Sequence, residues 1–332
     1  MSDRIQIKST GELIAALPTM LGFVPASSIV MAFLNAGAMT FIARTDFGTG
    51  GRALTAEAIV KTNASDAVVI VAVAKGRTFR EVLDECDRVS DVLLTLGVTD
   101  QDVFYTPSVE GGETWTDMRT FETGTVVDPS TTEFAAATVL AGKAVAASRD
   151  EIAARYRREG SKIIDRRRAR NAKEVMGENF ARNVISELAD TVTERREPSA
   201  ALAARIGLLL TTDIVARDAI LGLAVIDPAS ASETMATVTR KLHGPERVAA
   251  LTVAGFFAYV NFQGPDAGCA FDAARTEADQ HPLSDTRLLG LVDEALQTGL
   301  HPKKMRGLSG TGVGIARAKF GIELPAPGNN WI

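Results

Sequence analysis

The nine residues "DAVVIVAVA", Asp66 to Ala74, constrain the fold of this chain more than any other stretch. A run this short, valine-rich and nearly devoid of polar residues suits a strand buried on both faces. The next segment, "RTFREVLDECDRVSDVLLTLGV", switches to a helical period. Phe79, Val82, Leu83, Val89, Leu93 and Leu96 fall on one side of it, and Gly97 stands where a helix would stop. "DVFYTPS" then returns to strand character, and "ETWTDM" offers another strand. A chain that alternates in this way must cover both faces of a sheet with helices.

The segments before this unit extend the pattern. "IQIK" reads as a short strand, and "STGELIAALPTML" as a helix that Ser9 or Thr10 can cap, with Glu12 three residues after Ser9 as in a capping box. Pro18 falls inside that apolar pattern and is expected to kink or end the helix. "SSIVMAFLN" and "AMTFIARTDF", joined by "AGA", suit a β-hairpin. "ALTAEAIVKTNA", Ala53 to Ala64, has helical spacing. The sum is an α/β domain with a mixed sheet over residues 1–127.

From residue 128 the texture is alanine-rich and helical, so the expected second domain, 128–332, is mostly helical. "PSTTEFAAATVLAG", "SRDEIAARYRR", "PSAALAARIGLLLTTDIVARDAILGLAV", "PASASETMATVTRKL", "PERVAALTVAGFFAYVNF", "PDAGCAFDAARTEA" and "DTRLLGLVDEAL" each read as one helix. Several open with proline, a favoured residue at the first helical position. Residues 155–173 read as a basic connector. The tail 307–332, with Gly310, Gly312, Gly314 and Gly328, reads as loop-rich.

The 332 residues suffice for two domains with sizeable cores, and the net charge of -5 argues against a globally basic nucleic-acid binder. Two cysteines far apart, Cys86 and Cys269, suit a reducing compartment and form no disulfide framework. No signal-peptide core opens the chain. The nearest approach to a membrane span, Val248 to Phe262, is too short and follows Arg247. The expected protein is cytoplasmic and soluble, with no membrane partner.

Three segments carry a resemblance. "TGELIAALPTMLGFVPASSIVMAFLN" is followed by "FIARTDF" and much later by the stretch from "LTVAGFFAYVNFQGPDAGCAF" to "TGLHPKKMRGL". Together they resemble an actinobacterial family, domain-of-unknown-function family 4192, which also occurs in bacteriophages of those hosts. Where the family carries a tryptophan-arginine ending, this chain has Met305-Arg306. Where many relatives carry a cysteine-and-proline segment, "TPSVEGGETWTDMRTFETG" has no cysteine. The resemblance implies organism class and soluble character, and no activity.

Four features could carry chemistry. "GFVPASSIV" could present Ser27 or Ser28 as a nucleophile. Yet the order of elements is helix-to-strand, and neither serine has the second glycine of a nucleophile elbow. The three histidines, His243, His281 and His301, each precede Gly or Pro at a helix boundary, where a helix C-terminus favours a cation. "ARTDFGTGGR" follows a strand and precedes a helix. There Gly48, Gly50 and Gly51 could turn backbone N–H groups towards an anion, with Arg44 or Arg52 as a clamp beside Asp46. No Gly-Lys-Ser/Thr follows, so a loop with a surface ion pair reads equally from these residues. The strongest charge feature is Arg155, Arg157, Arg158, Lys162, Arg166, Arg167, Arg168, Arg170 and Lys173, interrupted only by the acids Glu159 and Asp165. Such a stripe suits nucleic-acid phosphate, though Tyr156 alone offers stacking. It also suits an acidic protein partner, or a solvated connector paired with acidic neighbours. Metal-ligand spacing is absent and no cofactor is called for. The functions these features allow are a non-catalytic binding or regulatory protein, a nucleic-acid or phosphate binder through 155–173, and an enzyme of small anionic substrates at Arg44–Arg52. A homo-oligomer is compatible with each.

Overall fold

A computed structural model describes residues 7–49, 59–61, 63–140, 144–159 and 166–325. The chain forms two compact units, Met1–Glu151 with Gln297–Leu300, and Ile152–Leu296 with His301–Ile332.

The first unit is built on a mixed sheet of order β2-β1-β3-β4-β5-β6. Its strands are β1 (Ser28–Asn35), β2 (Ala38–Asp46), β3 (Ala67–Val73), β4 (Asp100–Thr106), β5 (Thr114–Asp117) and β6 (Thr123–Thr125). β1 and β2 form the expected hairpin. Its two-residue turn, Ala36-Gly37, has both φ angles positive, at 48° and 73°. That is the pattern of a type I′ turn, whose twist matches the flanking strands. β3 pairs antiparallel with β1 and parallel with β4, and the crossover between β3 and β4 is the helix α2 (Phe79–Thr95). α2 opens on a reciprocal capping box of Thr78 and Glu81. It closes where Gly97, at φ 85°, donates to the Leu94 carbonyl while Val98 donates to that of Leu93. This pair of bonds is the Schellman motif. Ile29, Met31 and Phe33 of β1, Val68 and Ile70 of β3 and Val103 of β4 share a core with Val82, Cys86, Val89 and Leu93 of α2.

Helix α1 (Thr10–Leu21) begins as expected, with the Ser9 hydroxyl accepting from the Glu12 amide. Pro18 does not end it: the helix runs on to Leu21 and its left-handed cap, Gly22. Leu17, Pro18 and Leu21 are all buried, and that burial outweighs the hydrogen bond a proline cannot donate. At the other end of α1, a Cβ on Gly11 would stand 2.3 Å from the Thr125 carbonyl oxygen, so only glycine lets α1 approach β6. The expected strand "IQIK" falls partly outside the described residues, and its described part, Ile7-Lys8, is not a strand. Of the helix expected over Ala53–Ala64, residues 59–61 and 63 are helical, and 53–58 and 62 lie outside the described residues. α3 (Glu133–Leu140) comes next, and the unit ends within α4 (Arg149–Ala154), a helix that stops four residues before the end of the expected segment at Arg158.

The second unit is helical: α5 (Arg166–Met176), α6 (Phe180–Thr193), α7 (Ala200–Thr212), α8 (Ile214–Leu221), α9 (Pro228–Arg240), α10 (Gly244–Val260), α11 (Gly264–Gln280), α12 (Arg287–Gln297) and α13 (Pro302–Phe320). The stretch from Pro198 to Val225 is two helices rather than one. Asp213 adopts extended backbone between them and its carboxylate accepts from the Ala216 amide, a side-chain cap that competes with helix continuation. From Val248 to Val260 all but Ala249 are buried, which explains a helix that is apolar on every side without spanning a membrane. Among the described residues, no helix is long and apolar enough to cross one.

The glycines of the tail belong to a helix, correcting the loop-rich reading for residues 307–320. A Cβ on Gly312 would lie 2.5 Å from the Gly222 amide nitrogen and 2.6 Å from the Asp218 carbonyl oxygen, so Gly312 is where α13 crosses the end of α8 backbone to backbone. Gly314, two residues on, is exposed and faces open space. Gly312→Ala is therefore expected to cost about 1–3 kcal/mol through overpacking, and Gly314→Ala to gain about 0.5–1 kcal/mol of helix propensity. Urea midpoints of the two variants against the parent chain measure both.

Candidate functional site

At one end of the first unit's sheet, Ser28 of β1 pairs with Asp46 of β2 and Val73 of β3. Arg44 reaches this corner from β2. Its Nη2 lies 2.6 Å from Asp46 Oδ1, its Nε donates to Ser28 Oγ at 2.8 Å, and its guanidinium sits over the Phe23 ring at 5.9 Å. The Ser28 hydroxyl in turn donates to the Ala26 carbonyl at 2.8 Å and is fully buried. A serine whose oxygen accepts and whose proton is spent inside the chain is a structural link, and all three histidines lie in the other unit.

The loop after Asp46 is equally committed. The Phe47 amide donates to Ser27, the Thr49 amide to Asp46, and the Gly48 amide to the carboxylate of Glu85 at 3.0 Å. Glu85 is a fully buried residue of α2 that also pairs with Arg88. An anionic ligand at Gly48 would have to displace that carboxylate. The remaining residues of this candidate, Gly50, Gly51 and Arg52, lie outside the described residues, as does Lys162 of the basic stripe.

The basic stripe belongs to the second unit, where it divides into anchors and exposed cations. Arg155 Nη1 lies 2.8 Å from Asp266 Oδ2, and the buried Tyr156 hydroxyl donates to Asp266 Oδ1 at 3.0 Å. The Tyr156 carbonyl accepts from Arg247 Nη2 at 2.5 Å, while Arg247 Nη1 pairs with Glu277 Oε2 at 2.6 Å. Glu277 Oε1 also accepts from the Gly244 amide at 2.6 Å. Further along, Arg166 Nη2 pairs with Glu246 at 2.7 Å and donates to the His243 carbonyl, and Lys173 donates to the Thr212 hydroxyl. Arg157, Arg158, Arg167 and Arg170 are exposed and their side chains make no ion pair or hydrogen bond among the described residues; Arg168 is exposed on the same helix as Arg167 and Arg170. Beside Arg166 and Arg170 is a recess of about 10 Å³ floored by Ala204, Leu208 and Leu242, room for one water and not for a metabolite.

The charged cluster beneath the stripe escaped the sequence reading. A signal was available: Asp266 and Glu277 are eleven residues apart, three helical turns, and so share one face of α11. Burial pushes the Asp266 carboxyl above the usual aspartate range, against the pull of Arg155 and the Tyr156 hydroxyl. The Tyr156 phenol rises well above its ordinary value through burial first and Asp266 second. Burial likewise lifts the Cys86 thiol to about 12, helped by Asp87 and Glu85, so it is a packed hydrophobe rather than a nucleophile. Cys269 is buried as well. Two histidines stand at helix N-termini, correcting the C-terminal reading: His243 precedes α10 and His301 caps α13 by accepting from the Lys303 amide. Only His281 is at a helix C-terminus, beside Glu277. Among the described residues no group of three or more His, Cys, Asp or Glu side chains is placed to hold a metal.

A family model described as domain of unknown function (DUF4192) matches residues 11–303. The chain belongs to the DUF4192 family. The match runs from α1 to the first turn of α13, so in this DUF4192 chain it covers most of the first unit and the second unit up to the start of its last helix. No curated protein and no solved structure matches it.

Removing one partner of the buried Arg247–Glu277 pair leaves a buried charge. Glu277→Gln is expected to cost about 3–5 kcal/mol, and Arg247→Met with Glu277→Leu together less than the sum of those two changes made singly; equilibrium denaturation of the parent chain and the four variants reads both. The histidines set a pH dependence. Burial lowers His243 below 6.5, with Arg166 adding to it, and burial lowers His301, followed by Lys303, Arg306 and Lys304. Below about pH 6.5 the unfolded chain takes up protons that the folded chain refuses, so stability is full above that pH and falls beneath it. The melting temperature is expected to drop from about pH 7.5 to 5.5, and less so in His243→Asn/His301→Asn.

Proposed function

We propose that this protein is a cytoplasmic, non-catalytic binding protein that engages nucleic-acid phosphates through the arginines of the 155–173 segment. One observation carries the reading. Arg155, Tyr156 and Arg166 pin the segment to α10 and α11, and Arg157, Arg158, Arg167 and Arg170 stay exposed without ion-pair partners among the described residues. Surface arginines normally relieve their mutual repulsion by pairing. Here acidic neighbours such as Glu246 and Asp266 are spent on the anchors, so the outer cations keep their field for a polyanion. The water-sized recess beside Arg166 favours surface contact with a polymer over capture of a small anion. Arg44 and Gly48 are held by Asp46, Ser28 and Glu85, which weighs against the reading that places an anionic substrate there.

Each arginine on a duplex phosphate contributes about 0.9 to the slope of log K against log salt. Arg167→Ala/Arg170→Ala is expected to flatten that slope by up to about 2 and to leave the melting temperature nearly unchanged, because neither side chain is bonded within the chain. Fluorescence anisotropy with labelled DNA and RNA across a salt series measures it. Absence of binding at low salt sinks the reading, and binding of acidic peptides alone would assign the arginines to a protein partner.

A further inference from the structure

The β5–β6 hairpin of the first unit holds a phenylalanine in a conformation that aromatic residues avoid. Phe121 has φ 62°, in the left-handed region, and its side chain points to solvent with 65% of the residue exposed. Such backbone costs about 1–3 kcal/mol for a bulky residue and persists only where its surroundings over-determine it. They do so here. The Phe121 amide donates to the Asp117 carbonyl at 3.0 Å, the Asp117 amide to Glu122 at 2.8 Å, and the Asp117 carboxylate accepts from the Arg119 and Thr120 amides at 2.7 and 3.0 Å. Met118, beside them, is buried in the core. Trp115 lies flat over Gly124, where a Cβ would meet its ring at 2.5 Å, and packs edge-on against Phe104. The hairpin is thus a rigid arm.

Its tip meets the start of α2. The Phe121 and Phe79 rings are 6.0 Å apart at 34°, and Phe79 is itself 42% exposed. Along the same end, Arg77 lies over the Phe47 ring at 5.2 Å and pairs with Glu81 at 3.6 Å, so it is already answered within the chain. Lys75, Arg80 and Arg119, close in sequence to the two rings, are exposed and make no ion pair among the described residues. Of the nearby acids, Glu81 caps α2 and Asp117 closes the turn, so both carboxylates are engaged; Glu122 is exposed.

We infer that the Phe79–Phe121 pair is a stacking platform for unpaired bases, with Arg80 and Arg119 set to receive the adjoining phosphates. An exposed aromatic pair with unpaired arginines at neighbouring chain positions, Arg80 beside Phe79 and Arg119 two residues before Phe121, favours a ligand that is aromatic and anionic at once, and single-stranded nucleic acid offers both in every nucleotide. An apolar protein surface would use the rings but leave the cations unanswered. The inference shares its ligand class with the function proposed above and none of its residues.

The test uses the full chain, with a fluorescent oligothymidylate, a duplex of equal length and inorganic polyphosphate as probes in anisotropy titrations. Phe121→Ala and Phe79→Ala are each expected to weaken oligothymidylate binding about tenfold and to leave duplex and polyphosphate binding unchanged. Arg167→Ala/Arg170→Ala is expected to weaken all three. In Phe121→Trp affinity is retained and the new indole fluorescence is quenched on binding, a readout that altered folding would not produce. Unchanged oligothymidylate affinity in both alanine variants overturns the platform, as does a parent chain with no preference for single strands. If the phenylalanine variants lose affinity and the arginine variant does not, the function proposed above falls and the platform stands. A self-association seen by sedimentation that Phe121→Ala abolishes, with no effect on oligothymidylate, would assign the rings to a second copy of the chain and overturn the inference.

Discussion

Arg247 and Glu277 are charged residues inside a helical unit, and much of that unit's order depends on their pairing. Neither ion could be buried alone without a penalty of several kcal/mol. Together they satisfy each other at 2.6 Å, and their remaining capacity is used on backbone: Glu277 accepts from the Gly244 amide at the start of α10, and Arg247 donates to the carbonyls of Tyr156 and Thr239. One ion pair thereby ties the start of α10 to the last turn of α11, the end of α9 and the segment preceding α5. Asp266, on the same face of α11, adds a second tie through Arg155 and Tyr156. The cost of burying these charges is offset by bonds that hold only when all four pieces of chain are in place, and such a cluster specifies one arrangement.

This architecture bears directly on the function proposed. An arginine-rich segment joined to its unit only by chain connectivity would sample many orientations, and binding would pay to order it. Here the ion-paired members, Arg155 and Arg166, serve as anchors, and the unpaired members inherit a fixed spacing. The stripe that looks uniform in the sequence is two sets of residues with opposite tasks. The first unit applies the same logic with different chemistry, since Asp117 and the Trp115–Gly124 contact hold Phe121 in place as the charge cluster holds the arginines.

Glycine makes the same point for packing. Gly97 and Gly312 are the same letter, yet Gly97 supplies a left-handed stop at φ 85° and Gly312 supplies absence of volume at a helix crossing. The stop was legible because it follows a periodic apolar stretch. The crossing was not, because what forbids a side chain at Gly312 is the backbone of Gly222, ninety residues away in the chain.

The sequence by itself determined the elements whose cause is local. The valine run of β3, the amphipathic period of α2, the Ala36-Gly37 turn and the proline starts of α9, α10 and α11 all follow from residues within a few positions of one another. The class of each unit follows from those. The family resemblance was legible in the same local way, in the corner "LGFVPASS" and the strand after it. Tertiary structure decided which charges are free. Arg44 and Arg157 are alike as letters. One is spent on Asp46 and Ser28, and the other is exposed with no ion-pair partner among the described residues. The same holds for Pro18, whose burial kept α1 whole, and for Phe121, whose strained backbone is held by a turn and a core that a linear reading cannot assemble. Charge, burial and strain are properties of neighbours in space, and only folding chooses those neighbours.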